Sequence, residues 1–95
     1  MEHFVYILQS HKLNRFYIGE TVNLENRLQQ HYDKTYGKNK YTAKADDWAV
    51  YFSITCSSKN QAKAIERHIK KMKSKVHIQN LKNNPSLITE LLAKY

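Results

Sequence analysis

The sequence predicts one α+β domain, and two observations carry that reading. Three short runs are rich in β-forming residues, and three longer stretches repeat apolar residues at three- and four-residue steps. No Pro/Gly/Ser-rich segment divides the 95 residues, so a single unit spanning 1–95 is expected. A chain this short buries a modest share of its surface, and stability must rest on a few well-packed side chains. Three Phe, one Trp and seven Tyr can supply that area.

"FVYILQS" (4–10) is a near-continuous apolar run, short enough for a strand and read as a central one covered on both faces. "FYIG" (16–19) is a second strand ending at Gly19, joined to the first by a loop of hairpin length, so the pair is antiparallel. From Asn23 the spacing changes. Leu24, Leu28 and Tyr32 recur at four-residue steps, Asn23 is a candidate N-cap, and Glu25 sits where the helix dipole favours an acid. On this helix Arg27 and His31 lie one turn apart beside the apolar stripe, at the rim where helix meets sheet.

Residues 33–47 are polar, contain Gly37 and show no sustained period, which reads as a loop. "WAVYFSIT" (48–55) alternates Trp48, Val50, Phe52 and Ile54, a third strand with those four on one core side. Ala62, Ile65, Ile69 and Met72 then follow helical spacing, with Ser57 or Ser58 to cap the start. "VHIQNLK" (76–82) gives no assignment of its own. After it, Asn84 and Pro85 read as N-cap and N1 of a last helix, about 85–94, with Leu87, Ile88, Leu91 and Leu92 on its apolar side.

A net charge of +8 and a pI near 9.6 on so small a body point towards a polyanionic partner. The imbalance is strongest on the helix beginning near residue 59, where Lys59, Lys63, Arg67, Lys70, Lys71 and Lys73 face a single acid, Glu66. The lone Cys56 rules out an intrachain disulfide, and no Cys/His run has zinc-ligand spacing, so a reducing, cytoplasmic setting is expected. The amino-terminal apolar run is too short for a signal peptide or membrane span.

Phe4-Val5-Tyr6, Tyr17-Ile18-Gly19, "NLENRLQQH" with Arg27 and His31, and Glu66 in "AIERHIKKMKSK" stand in an order that resembles the GIY-YIG nuclease family. The resemblance covers about residues 3–82 and is particularly close to small stand-alone members. The amino-terminal incision domain of bacterial excision repair and certain phage homing endonucleases share it more distantly. It implies a three-stranded antiparallel sheet packed between helices, and a divalent-metal-dependent endonuclease acting on DNA, with RNA left open.

The resemblance nominates Tyr6, Tyr17, Arg27, His31 and Glu66 as catalytic, with Glu66 the ligand of Mg²⁺ or Mn²⁺. Tyr6 is favoured as the base acting on water and Tyr17 as an orienting hydroxyl, while Arg27 neutralises phosphate charge. His31 would orient a tyrosine or contact the phosphate. Lys40, Lys63, Arg67, Lys70, Lys71 and Lys73 are the expected nucleic-acid contacts. No membrane and no obligate protein partner is implied.

Each of these residues also has a structural use: core tyrosines, a Glu66–Lys70 helix pair, or Arg27 against Glu20 or Glu25. The sequence departs from the family pattern twice, with Phe4 for the first glycine and Glu20 where some catalytic members carry lysine. The second departure motivates a rival reading, a non-catalytic nucleic-acid-binding module. A third reading, an adaptor that docks a partner on the Leu87/Ile88/Leu91/Leu92 face, competes with packing of that face inside the domain.

Overall fold

The first apolar run folds as β1 (His3–Ser10), and Val5, Tyr6, Ile7 and Leu8 are all buried because both faces of the strand are covered. In the computed structural model, which describes residues 2–32 and 45–95, β1 pairs with β2 (Arg15–Thr21) and with β3 (Ala49–Cys56). The sheet order is β2-β1-β3, and both pairings are antiparallel. β2 runs two residues past Gly19, where the sequence places its end, because Phe4 and Val5 of β1 still offer partners to Thr21 and Glu20.

Period-two alternation sends neighbouring β1 side chains into two cores. Val5 and Ile7 pack with Ala62, Ile65 and Ile69 of α2 (Lys59–Met72), Ile78 and Leu81 of α3 (Lys75–Asn83), and Leu91 of α4 (Pro85–Lys94). Tyr6 and Leu8 pack with Trp48, Tyr17, and Leu24 and Leu28 of α1 (Leu24–Tyr32). The sheet thus lies between α1 on one face and α2, α3 and α4 on the other, as the family resemblance implies. The apolar side of α4 is used inside the molecule, with Leu87, Ile88 and Leu92 packed against the first core.

β3 corrects the expected alternation. Ile7 pairs with Phe52 but Leu8 with Val50, so Tyr51 is the extra residue of a bulge. The bulge inverts the phase of the strand: Ile54 and Phe52 join the α2 core, Trp48 joins the α1 core, and Val50 is left 42% exposed. Tyr51 turns instead towards Phe16, ring centroids 5.0 Å apart, and carries the ammonium of Lys82 at 4.1 Å.

Two helix stripes also end differently. Tyr32 is 55% exposed and His31 occupies the buried place in the last turn of α1; Met72, the last residue of α2, is 47% exposed. Ser58 caps α2 by accepting from Gln61 N. α3 is an element the sequence reading lacks. It starts at Ser74, whose hydroxyl accepts from His77 N, and Asn84 then closes α3 and precedes Pro85 at the start of α4. Asp47 anchors the end of β1, taking hydrogen bonds from Ser10 Oγ at 2.6 Å and Lys12 N at 2.9 Å.

Gly19 lies opposite Tyr6, and a Cβ there would stand 2.6 Å from both Cζ and Oη of that fully buried ring. Gly19→Ala should therefore destabilise the fold by roughly 1–3 kcal/mol, the usual effect of forcing extra volume into a packed core. Urea unfolding measures this, and the loss should shrink in a Tyr6→Leu background, where the obstructing ring tip is gone.

Candidate active site

The hairpin places Ser10 opposite Arg15, and that register puts Tyr6 opposite Gly19 and Tyr17 on the same face as Tyr6. Their ring centroids are 6.2 Å apart. α1 closes over this face. Its start is fixed by Asn23, whose Oδ1 accepts from Asn26 N at 2.9 Å, and by Thr21 Oγ1, which accepts from Asn23 N at 3.2 Å. Two turns later His31 meets both tyrosines edge-on, 5.7 Å from Tyr6 and 5.2 Å from Tyr17.

The Tyr6 hydroxyl lies 2.9 Å from His31 Nε2, a buried contact. Burial pushes the His31 imidazole down to about 4, with the positive charge of Arg27 adding to the effect. His31 is therefore neutral at neutral pH and sits inside rather than at the rim. In the tautomer protonated at Nδ1, its Nε2 accepts the tyrosine proton. Arg27, half-buried, donates from Nη1 to the backbone carbonyl of Glu20 at 3.2 Å, which ties its guanidinium to the end of β2. The Glu20 carboxylate itself bonds His3 Nε2 on β1.

Tyr6, Tyr17, Arg27 and His31 are thus gathered on the α1 face. Glu66 is not part of that cluster. It lies on α2, beside Ile65 of the other core, and its Oε2 is 3.2 Å from Lys70 Nζ. Among the described residues no group of three or more His, Cys, Asp and Glu side chains could hold a metal. One part-buried carboxylate fits a hard cation such as Mg²⁺, which commonly takes one or two carboxylates and completes its shell with water and substrate phosphate.

The cations of α2 do not share one side. Lys70 and Lys73 line a cleft with Arg15 and Lys75, whereas Arg67 and Lys71 border a second depression with Lys94 and Tyr95. Lys63 is exposed, and Lys40 lies outside the described residues. Sequence reasoning marked Gly19 as the end of the second strand, and in the structure another group approaches it closely. That reasoning missed that the approaching group is the Tyr6 ring, which the hairpin register could have revealed.

A family model described as the GIY-YIG catalytic domain matches residues 2–82. Among solved structures, the chain is similar to the UPF0213 protein BH0048 from Bacillus halodurans, determined in solution by NMR, at 28% identity over 94% of each chain with a TM-score of 0.54. No curated protein is significantly similar to it.

The depressed His31 has a consequence for stability. The unfolded chain takes a proton on this residue near 6.5, the folded chain only near 4, so between these values the unfolded state binds more protons. Stability should be full above pH 6.5 and fall by roughly 3 kcal/mol as pH drops towards 4. His68, also held low by burial, adds a loss of the same sign. Chemical denaturation at pH 7 and 4.5 should show His31→Gln losing about 2–3 kcal/mol less than the parent over that interval.

Proposed function

The chain belongs to the GIY-YIG family, and on that premise we propose that it is a divalent-metal-dependent endonuclease that hydrolyses DNA phosphodiester bonds, as a single 1–95 domain in repair or recombination. The observation that carries this reading is the buried Tyr6–His31 hydrogen bond, which gives a tyrosine proton an acceptor beside a cation.

Hydrolysis needs a base for the attacking water, neutralisation of the non-bridging oxygens and stabilisation of the departing 3′ oxygen. A tyrosine titrates near about 10 in water and must be shifted down to serve as base. Tyr6 has a neutral imidazole at its hydroxyl and Arg27 close to that imidazole, so the hydroxyl is held in one orientation beside a positive charge. Tyr17, on the same face and less buried, orients the water. Arg27 offers a planar fork of donors to the phosphate.

Glu66 would hold Mg²⁺ or Mn²⁺, exchanging its Lys70 partner for the cation. When bound, that ion supplies Lewis-acid stabilisation of the leaving oxygen. Lys63, Arg67, Lys70 and Lys71 of α2, with Lys73 at its end, hold flanking phosphates. A cytoplasmic setting belongs to the proposal and is supported by the buried free thiol of Cys56. Among the described residues no helix is long and apolar enough to cross a membrane.

The rival, a binding module without catalysis, is favoured by one observation: the Glu66–Lys70 pair is an ordinary i,i+4 helix contact. It predicts salt-dependent binding with no response to metal or to Glu66→Gln.

Nicking of supercoiled plasmid with Mg²⁺ or Mn²⁺ separates the two, and Glu66→Gln and Arg27→Ala should abolish it. Below the tyrosine pKa the rate should climb about tenfold per pH unit, and Tyr6→Phe should slow cleavage by about two to four orders of magnitude while flattening that climb. No histidine inflection near pH 6.5 should come from His31, which is already neutral there. If Tyr17→Phe flattens the profile and Tyr6→Phe does not, Tyr17 is the base. If neither does, the tyrosine mechanism fails.

A further inference from the structure

One cleft takes no part in the candidate active site and lies on the other side of β2 from Tyr6 and Tyr17. It occupies about 860 Å³ between the β1–β2 turn and the corner where α2 passes into α3. Its floor is apolar, formed by Phe16 and Ile18 of β2 with Ile69 and Ile78 behind them, and its rim carries Arg15, Lys70, Lys73 and Lys75. No acidic residue among those described lines it.

Backbone conformation at the rim adds a second observation. Asn14 (φ 52°) and Lys73 (φ 50°) are the non-glycine residues with positive φ among those described, and both line this cleft. Lys73 is the residue that ends α2, a position where glycine is the usual occupant because side chains disfavour that backbone region. A lysine there forgoes the conformational advantage and puts a cation on the rim. Lys75 Nζ, donating to the Asn14 carbonyl, joins the two walls.

A ring of cations around an apolar floor that includes a partly exposed aromatic ring is the chemistry that holds a nucleotide, with phosphates on the rim and the base face on the floor. The size falls within the roughly 300–1,000 Å³ of small-ligand sites. Lys70 and Lys75 already have partners in Glu66 and the Asn14 carbonyl, which leaves Arg15 and Lys73 to carry most of the phosphate contact. We propose that this cleft binds an unpaired nucleotide of a nucleic-acid strand, as an accessory site across β2 from the tyrosines. The inference rests on the proposed nucleic-acid function for the identity of its ligand, not on cleavage.

The test is equilibrium binding by fluorescence anisotropy in EDTA, where no metal-dependent cleavage interferes, using a blunt duplex, the same duplex with a four-nucleotide unpaired flank, and that flank made abasic. The flanked duplex should bind about tenfold tighter than the blunt one, and abasic sites should remove most of the gain, since stacking on an aromatic contributes that much or more. Arg15→Gln with Lys73→Gly should erase the flank preference and reduce the slope of log affinity against log salt by about 2. Lys73→Gly installs the residue favoured at that φ, so its thermal unfolding midpoint should not fall, which separates lost binding from lost structure.

Equal affinity for blunt and flanked duplexes, or a flank preference that survives the double substitution, overturns the inference. Saturable binding of deoxyadenosine monophosphate without a flank preference also overturns it, in favour of a free-nucleotide site. A flank preference in a protein that never nicks DNA keeps the cleft and removes the nuclease reading. Nicking without flank preference does the reverse.

Discussion

The ring of Tyr6 fills the space that a side chain at position 19 would need, and three elements take their positions from that one contact. It holds β2 against β1 at one register, since only glycine fits opposite the ring. Its hydroxyl, carried past the backbone of β2, reaches His31 and so sets how α1 lies over the sheet. The buried imidazole, in turn, keeps Arg27 near because the helix places them one turn apart. A glycine usually read as permission for a tight turn here makes room for an aromatic ring inside an extended strand, and the strand continues beyond it to Thr21.

Much of this could be read in the chain because the determinants are local. β1 shows in the sequence because both its faces are buried, which leaves an unbroken apolar run; the α2 stripe shows because Ala62, Ile65 and Ile69 all meet one core. The tyrosine pair is legible from strand alternation once the hairpin is drawn. What could not be read depends on partners distant in sequence. His31 has polar character but is buried, since its partner lies 25 residues back on β1. α3 buries only Ile78 and Leu81 and leaves Val76 exposed, too thin a stripe to separate from a loop. Trp48 and Ile54 share a parity in sequence but not a face, because a bulge is a pairing event between two strands and leaves no mark in one.

The two faces of the sheet divide the molecule chemically. The α1 face gathers two tyrosines and an imidazole in a largely buried cluster; the α2 face carries the acid Glu66 and a dense set of surface cations. β2 is the boundary between them and, among the described residues, is an edge strand of the sheet. Its odd and even residues speak to different faces: Tyr17 and Gly19 to the tyrosine cluster, Phe16 and Ile18 to the cleft. Seven residues therefore join a buried tyrosine cluster to a charged surface without a loop between them.

The bulge at Tyr51 turns chain length into a question of parity. Because β3 must deliver Trp48 to one core and Ile54 to the other, the count of residues between them acts as a phase as well as a distance. Six positions apart, the two would share a face in a regular strand, and the one extra residue sets them on opposite faces; deleting that residue would straighten the strand and leave them five apart, still opposed. Removing one paired residue while the bulge stays would instead set both side chains on the same face, so that either the indole meets water or the α2 core loses Ile54. Length change within a strand is ordinarily judged by how much chain a loop can absorb; between these two residues it turns on whether the bulge or the paired ladder takes up the change.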